Sequence, residues 1–220
     1  MYKNRALIIT ALLCASHLIS AAEDHATDAV PADAAVARLV EGNARFVAGT
    51  MTRPHQSIDR RAELVQGQKP FAAILTCSDS RVSPEIYFDQ GLGDLFVIRN
   101  AGNVLDDHVI GSLEYAVEHL NVRLILVVGH AKCGAVSAAA SGGHAPGHIK
   151  SVVESIEPAV KAAHAQKGDL VDNAVRRNAG RSAEILRQVE PFIGKLVAEG
   201  KVQVLAGYYD LATGRVEILK

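Results

Sequence analysis

The sequence predicts an α/β fold: a central, mostly parallel β-sheet flanked by helices, with an antiparallel strand at its carboxyl-terminal edge. Three observations predict it. Four short apolar runs, at 71–76, 95–98, 124–128 and 202–206, are near-continuous rather than alternating, as suits strands buried on both faces of a parallel sheet. Helical spacing fills the chain between them. The tail from Tyr208 to Leu219 reads as strand, turn at Gly214, and strand, which brings the last strand back antiparallel to its neighbour.

The elements follow in order. Lys3 and Arg5 precede an apolar run from Ala6 to Ile19, and Ser20-Ala21-Ala22 comes next. A positive start, a short apolar middle and small residues at the cut describe a secretory signal peptide, residues 1–22, removed after Ala22. The run contains His17 and falls short of the roughly 20 apolar residues a spanning helix needs. The mature protein is therefore expected to be exported, to the periplasm, with no stable membrane anchor. Residues 23–33 read as a flexible leader, and 34–220 as one domain.

From Ala34, the positions Val36, Leu39, Val40, Phe46 and Val47 are spaced as one face of a helix that Gly49 closes. Ser57 is placed to cap a second helix, Ile58 to Val65, which stops at Gly67. Further helical patterns run from Val109 to Leu120, from Ala135 to Ala140, and from about 149 to 199 with breaks at Pro158, Gly168 and Pro191. The composition, 220 residues with 49% hydrophobic and 21% charged, supports a single core. A net charge of −1 gives no basic surface for nucleic acid. Signal removal takes Lys3 and Arg5 and no acid, so the charge falls from −1 to −3.

The same cut removes Cys14 and leaves two cysteines, Cys77 and Cys133. In an exported protein such a pair first suggests a disulfide. Their positions suggest something else. Cys77 closes the first strand and opens C-S-D-S-R, while His130 and Cys133 close the third in G-H-A-K-C-G. Parallel sheets bind ligands beyond the carboxyl ends of their strands. If the first and third strands are neighbours, two thiols and an imidazole meet in one crevice. Three N/S ligands with an open fourth position describe a catalytic zinc, whereas a structural zinc takes a fourth Cys or His. The further histidines nearby, His108, His144 and His148, lie in loop-like segments. In an extended segment Cys77, Asp79 and Arg81 would also share one face. The disulfide remains an alternative, and it leaves His130, Asp79 and Arg81 without a role.

These residues also carry a resemblance. C-S-D-S-R-V at 77–82 and G-H-x-x-C-G-A-V at 129–136, with 52 residues between Cys77 and His130, resemble the β-class carbonic anhydrases. G-D-L-F-V-I-R-N-A-G-N (93–103), S-L-E-Y-A-V (112–117) and G-x-Y-D-x-x-T-G-x-V (207–216) are similar to the same family. The likeness spans about residues 34 to 219. It implies one zinc ion per chain on Cys77, His130 and Cys133, and reversible hydration of CO2 to bicarbonate and a proton by hydroxide formed at the metal. Asp79 and Arg81 would be the dyad that orients the hydroxide. Gln68, Phe96 and Tyr115 would line the substrate pocket, with the aromatic pair partly supplied across a dimer interface in a homodimer or homotetramer. Some relatives hydrolyse carbonyl sulfide or carbon disulfide at such a site, which is the alternative activity. The chain departs from bacterial members with an inhibitory bicarbonate site, since it has no Trp and carries Ile74 where they carry one. Two further roles follow from general chemistry. The N–H groups around Gly134, opening a helix, suit bicarbonate, and His108 is a candidate proton shuttle.

Overall fold

The computed structural model describes residues 29–142 and 145–219. The expected signal peptide, most of the leader and His144 lie outside these residues. Five strands form one sheet: β1 (Ala72–Cys77), β2 (Leu95–Asn100), β3 (Leu124–His130), β4 (Gln203–Tyr209) and β5 (Val216–Leu219). Their order is β2-β1-β3-β4-β5. All neighbours are parallel except β4 and β5, which are antiparallel. The chain runs outward from β1 to β2, then crosses back to β3 on the other side. The carboxyl ends of β1 and β3 therefore flank the topological switch point.

The two central strands are buried at every position, which explains their unbroken apolar runs. Successive residues feed opposite faces. Ile74, Leu126 and Val128 pack with Leu39 of α1 (Ala32–Ala48), Val136 of α5 (Gly134–Ser141) and Ile156 of α6 (Ile149–Ala163). Leu75, Ile125 and Val127 pack with Leu113 of α4 (Asp107–Glu118), Leu186 of α7 (Leu170–Gln188) and Ile193 of α8 (Ile193–Ala198). Two shorter helices complete the fold: α2 (Ile58–Glu63), which Ser57 caps by accepting from the Arg60 N–H, and α3 (Pro84–Tyr87). No helix among the described residues is long and apolar enough to cross a membrane.

Three expectations need correction. Helix α1 starts at Ala32, inside the expected leader, behind Pro31 and with Asp33 in its first turn; an acid there suits the helix dipole. Helix α6 runs through Pro158 instead of breaking there. Its buried face (Val153, Ile156, Ala159, Val160, Ala163) outweighs the lost hydrogen bond, and the carbonyl that loses it belongs to exposed Glu154. Third, Cys77, Asp79 and Arg81 do not lie along one extended segment. The strand stops at Cys77, and a turn follows in which the Val82 N–H donates to the Asp79 carbonyl (3.1 Å).

Candidate metal centre

Strand β1 delivers Cys77 and β3 delivers His130, side by side at the carboxyl end of the sheet. A turn at Ala131 and Lys132 then reverses the chain so that Cys133 faces them. Lys132 sits in the left-handed region (φ 52°) to make that reversal, a conformation that costs a residue with a side chain some strain. All three residues are buried, and their Sγ, Nε2 or Nδ1, and Sγ atoms lie within 4.8 Å of one another. The sulfurs are 4.0 Å apart and free. That is about twice a disulfide bond length, so the disulfide alternative is not what the structure contains.

The histidine is arranged to ligate. Its Nδ1 lies 2.9 Å from the Ala131 carbonyl, which fixes the proton on Nδ1 and leaves the Nε2 lone pair free. Nε2 is buried and has no hydrogen-bond partner among the described residues. Buried polar atoms are nearly always paired, and a second-shell carbonyl behind a ligating imidazole is the usual arrangement in metal sites. Two soft sulfurs and one imidazole are the donor set of zinc. The residues present therefore fit that ion.

The two buried thiols act on each other in opposite directions. Contact with Cys133 lowers the proton affinity of Cys77, and His130 and the Gly102 N–H lower it further. That N–H reaches the Cys77 sulfur at 3.3 Å. Cys133 shifts upward, because it faces the Cys77 sulfur and is buried, while the N–H groups of Ala135 and Val136 pull the other way. The first turn of α5 thus points donors at a ligand sulfur. Gly134 itself is exposed.

Beside the donors stand Asp79 and Arg81. Arg81 grips the carboxylate with Nε on Oδ1 (2.9 Å) and Nη2 on Oδ2 (2.6 Å), and its backbone N–H adds a third bond to Oδ1 (3.0 Å). Nη2 also reaches the Lys132 carbonyl (3.3 Å), which ties the pair to the turn between His130 and Cys133. The guanidinium holds the Asp79 carboxyl well below the usual carboxylate range, so it is ionised at any physiological pH. Its Oδ2 lies 3.9 Å from His130 Nε2, so the carboxylate adjoins the space that the three donors enclose.

Three supporting residues carried no recognised role in the sequence. Arg99, on β2, donates to the carbonyls of Cys77 (3.0 Å) and Asp79 (2.6 Å) and so shapes the turn. Gly102, at φ 72°, presents its N–H to Cys77; a Cβ there would lie 2.6 Å from Ile156 Cδ1, so both conformation and space require glycine. Buried Asn178 on α7 donates to the Gly102 carbonyl (2.8 Å) and holds that residue in place. A charged residue closing an apolar strand could have drawn attention to Arg99. Nothing local distinguishes Asn178.

The remaining candidates lie elsewhere in the single chain. Phe96 pairs with Ala73, and Cys77 with Asn100, so Phe96 sits roughly 13 Å along the strand from the metal donors. Tyr115 is its neighbour, with ring centroids 6.1 Å apart, and is half exposed. Gln68 is exposed just before β1, at the opposite end from Cys77. His108 is exposed in the first turn of α4.

Comparison with known proteins agrees with this geometry. The family model described as "Carbonic anhydrase" matches residues 72–216. The chain is 46% identical over 181 residues to "Carbonic anhydrase 2" of Mycobacterium tuberculosis (strain CDC 1551 / Oshkosh), covering 80% of this chain and 87% of the relative. Among solved structures it resembles the β-carbonic anhydrase CcaA, at TM-score 0.67 and 29% identity, over 84% of this chain and 95% of that one. It matches a tetrameric β-carbonic anhydrase of Sordaria macrospora at TM-score 0.67 and 26% identity, with the same two coverages. The chain belongs to the β-class carbonic anhydrase family.

Proposed function

We propose that this protein catalyses the zinc-dependent, reversible hydration of CO2 to bicarbonate and a proton. One observation carries the reading: three buried N/S donors, with His130 Nε2 otherwise unpartnered among the described residues, next to an ionised Asp79 clamped by Arg81. Cys77, His130 and Cys133 hold the ion. Bound there, zinc supplies the Lewis acidity that lets a water lose a proton near neutral pH.

The chain's own residues do the rest. An ionised carboxylate only accepts hydrogen bonds. Asp79 would therefore accept a hydrogen bond from the attacking oxygen, which turns a lone pair of that oxygen towards CO2. Arg81 keeps the carboxylate charged and in one rotamer, since its planar fork matches both oxygens. Burial of the three donors keeps bulk water from their far side and strengthens these interactions.

The substrate pocket is completed by a second subunit in this reading. Gln68, Phe96 and Tyr115 stand too far from Cys77 to serve their own chain, so they serve a neighbour's centre in a homodimer or homotetramer. Gln68 donates to a substrate oxygen, the aromatic pair forms an apolar wall that favours CO2 over water, and exposed Gly134 leaves its own N–H for bicarbonate, while those of Ala135 and Val136 serve the Cys133 sulfur. His108, exposed near the carboxyl end of the sheet, passes the proton to solvent. Export to the periplasm belongs to the same proposal and rests on residues 1–22 alone.

The test compares substrates on one zinc-loaded preparation of the chain from residue 23. Stopped-flow CO2 hydration is expected to be fast, and carbonyl sulfide hydrolysis slow. Efficient carbonyl sulfide hydrolysis without CO2 turnover would overturn the assignment of substrate.

A further inference from the structure

Away from the metal centre, a cleft of about 610 Å3 opens between α6, α7 and the β4–β5 edge of the sheet, a volume usual for small-molecule sites. Four arginines line it, Arg176, Arg177, Arg181 and Arg187, against a single acid, Glu184. Their surroundings differ. Arg176 is already neutralised, by Asp172 (3.1 Å) and Glu217 (2.7 Å). Arg177 faces the Gln166 side-chain amide, and Arg187 donates to the Val204 carbonyl (3.0 Å). Both of those partners are neutral, so both positive charges remain. Arg181 makes no ion pair among the described residues within 4.0 Å, and it also lines an adjoining cavity with Asp106, Asp107 and Glu154. Arg177, Arg181 and Arg187 thus line one cleft with a single carboxylate, Glu184.

The helix walls are built at a cost that packing does not explain. Arg177 and Arg181 stand at i and i+4, where like charges repel. Gly180 lies between them in the interior of α7, and a Cβ placed on it would meet nothing within 4 Å. Glycine is a poor helix former, and here no neighbour demands it. Pro158, another poor helix former, faces the same cleft from α6. The absent side chain keeps the cleft open at the level of the arginines.

We propose that this cleft binds a multiply charged oxyanion of the phosphate class, held by Arg177, Arg181 and Arg187. Guanidinium groups bind such oxygens through paired N–H donors. No aromatic ring lines the cleft, so a compact inorganic or short-chain phosphate suits it better than a nucleotide with a base to stack.

The test titrates inorganic phosphate calorimetrically into the zinc-loaded, assembled protein at low ionic strength, with chloride at matched ionic strength as control. Saturable binding of one phosphate per chain is expected. Arg177→Gln combined with Arg181→Gln should weaken it about tenfold or more, since charge-assisted hydrogen bonds are lost. Glu184→Gln should tighten it about threefold, because it removes the one repelling charge. Phosphate-free CO2 hydration should be unchanged in both. Affinity identical in all three proteins would place phosphate at the metal centre instead and overturn the proposal. So would heat that never saturates, or a crystal structure with a second copy of the chain filling the cleft. If the arginine variant fails to fold, the gain expected in Glu184→Gln decides the matter alone.

Discussion

Asp79 meets Arg81 and Asp89 meets Arg45 at the same closest separation, 2.6 Å, yet the two pairs serve different ends. The Asp89 side chain is fully buried and its oxygens are saturated: Arg45, the N–H and hydroxyl of Thr52, and the N–H of Arg53 all donate to it. It pins the segment after α1 to the body of the protein. Asp79 is 18% exposed, its carboxylate receives donors from Arg81 alone among the described residues, and it keeps Oδ2 beside the metal donors. Burial alone would raise the Asp89 carboxyl, but Arg45 and the Thr52 and Arg53 donors pull it down to about 2. Asp79 is depressed mainly by Arg81. What separates the structural carboxylate from the one proposed to act on substrate is spare acceptor capacity and its direction, not the strength of the ion pair.

Substitutions can break this comparison, and the largest effect on turnover lies outside both pairs. Cys133→Ala should remove zinc and lower CO2 hydration by about a thousandfold or more, read by metal analysis and stopped-flow kinetics together. Arg81→Ala should keep zinc and fold while turnover falls roughly a hundredfold, a usual effect of losing one positioned electrostatic group. Unchanged turnover in zinc-loaded Arg81→Ala would remove the distinction drawn above. Asn178→Ala acts at one remove, through Gly102 and its N–H on the Cys77 sulfur. A drop of about tenfold in zinc affinity is expected, with a shifted sulfur-to-metal charge-transfer band in the cobalt-substituted protein.

Asp89→Asn should leave turnover of the folded protein unchanged and lower stability by about 2 kcal/mol, less than for a fully buried pair because Arg45 is one-third exposed. The sign with pH follows from a folded value of about 2 against an unfolded one near 3.9. The contribution of Asp89 is complete above about pH 4 and fades as pH falls towards 2. Urea melts of the two proteins should therefore diverge at pH 6 and converge as pH approaches 2. A constant difference at all pH values would mean that Asp89 acts through packing rather than charge.

The parts of the molecule that could be read from sequence were those written in local pattern. β1 and β3 announce themselves because burial on both faces demands unbroken apolar residues, and Cys77, His130 and Cys133 fall at their carboxyl ends. The neighbouring position of the two strands was only a condition in the sequence, and the strand order meets it. The turn at Asp79 was harder: alternation along an extended segment would also bring Cys77, Asp79 and Arg81 to one side, and the tethering by Arg99 that bends the chain comes from another strand. Pro158 misled because local propensity says nothing about the tertiary face that holds α6 together. Asn178 could not be found at all, since its partner Gly102 is 76 residues away. Gln68, Phe96 and Tyr115 lie away from the donors in the single chain, so the role proposed for them depends on the proposed neighbouring subunit, which no single-chain pattern describes.

The most direct test of the account is to strip the metal from the protein, return zinc in measured steps, and follow CO2 hydration from about pH 6 to pH 9. Activity is expected to rise in proportion to zinc and level off at one ion per chain. It should also increase with pH, because two thiolates leave the centre formally neutral and so the water on it less acidic than in a three-histidine centre. Full zinc occupancy without turnover, or turnover that is indifferent to zinc, would contradict it.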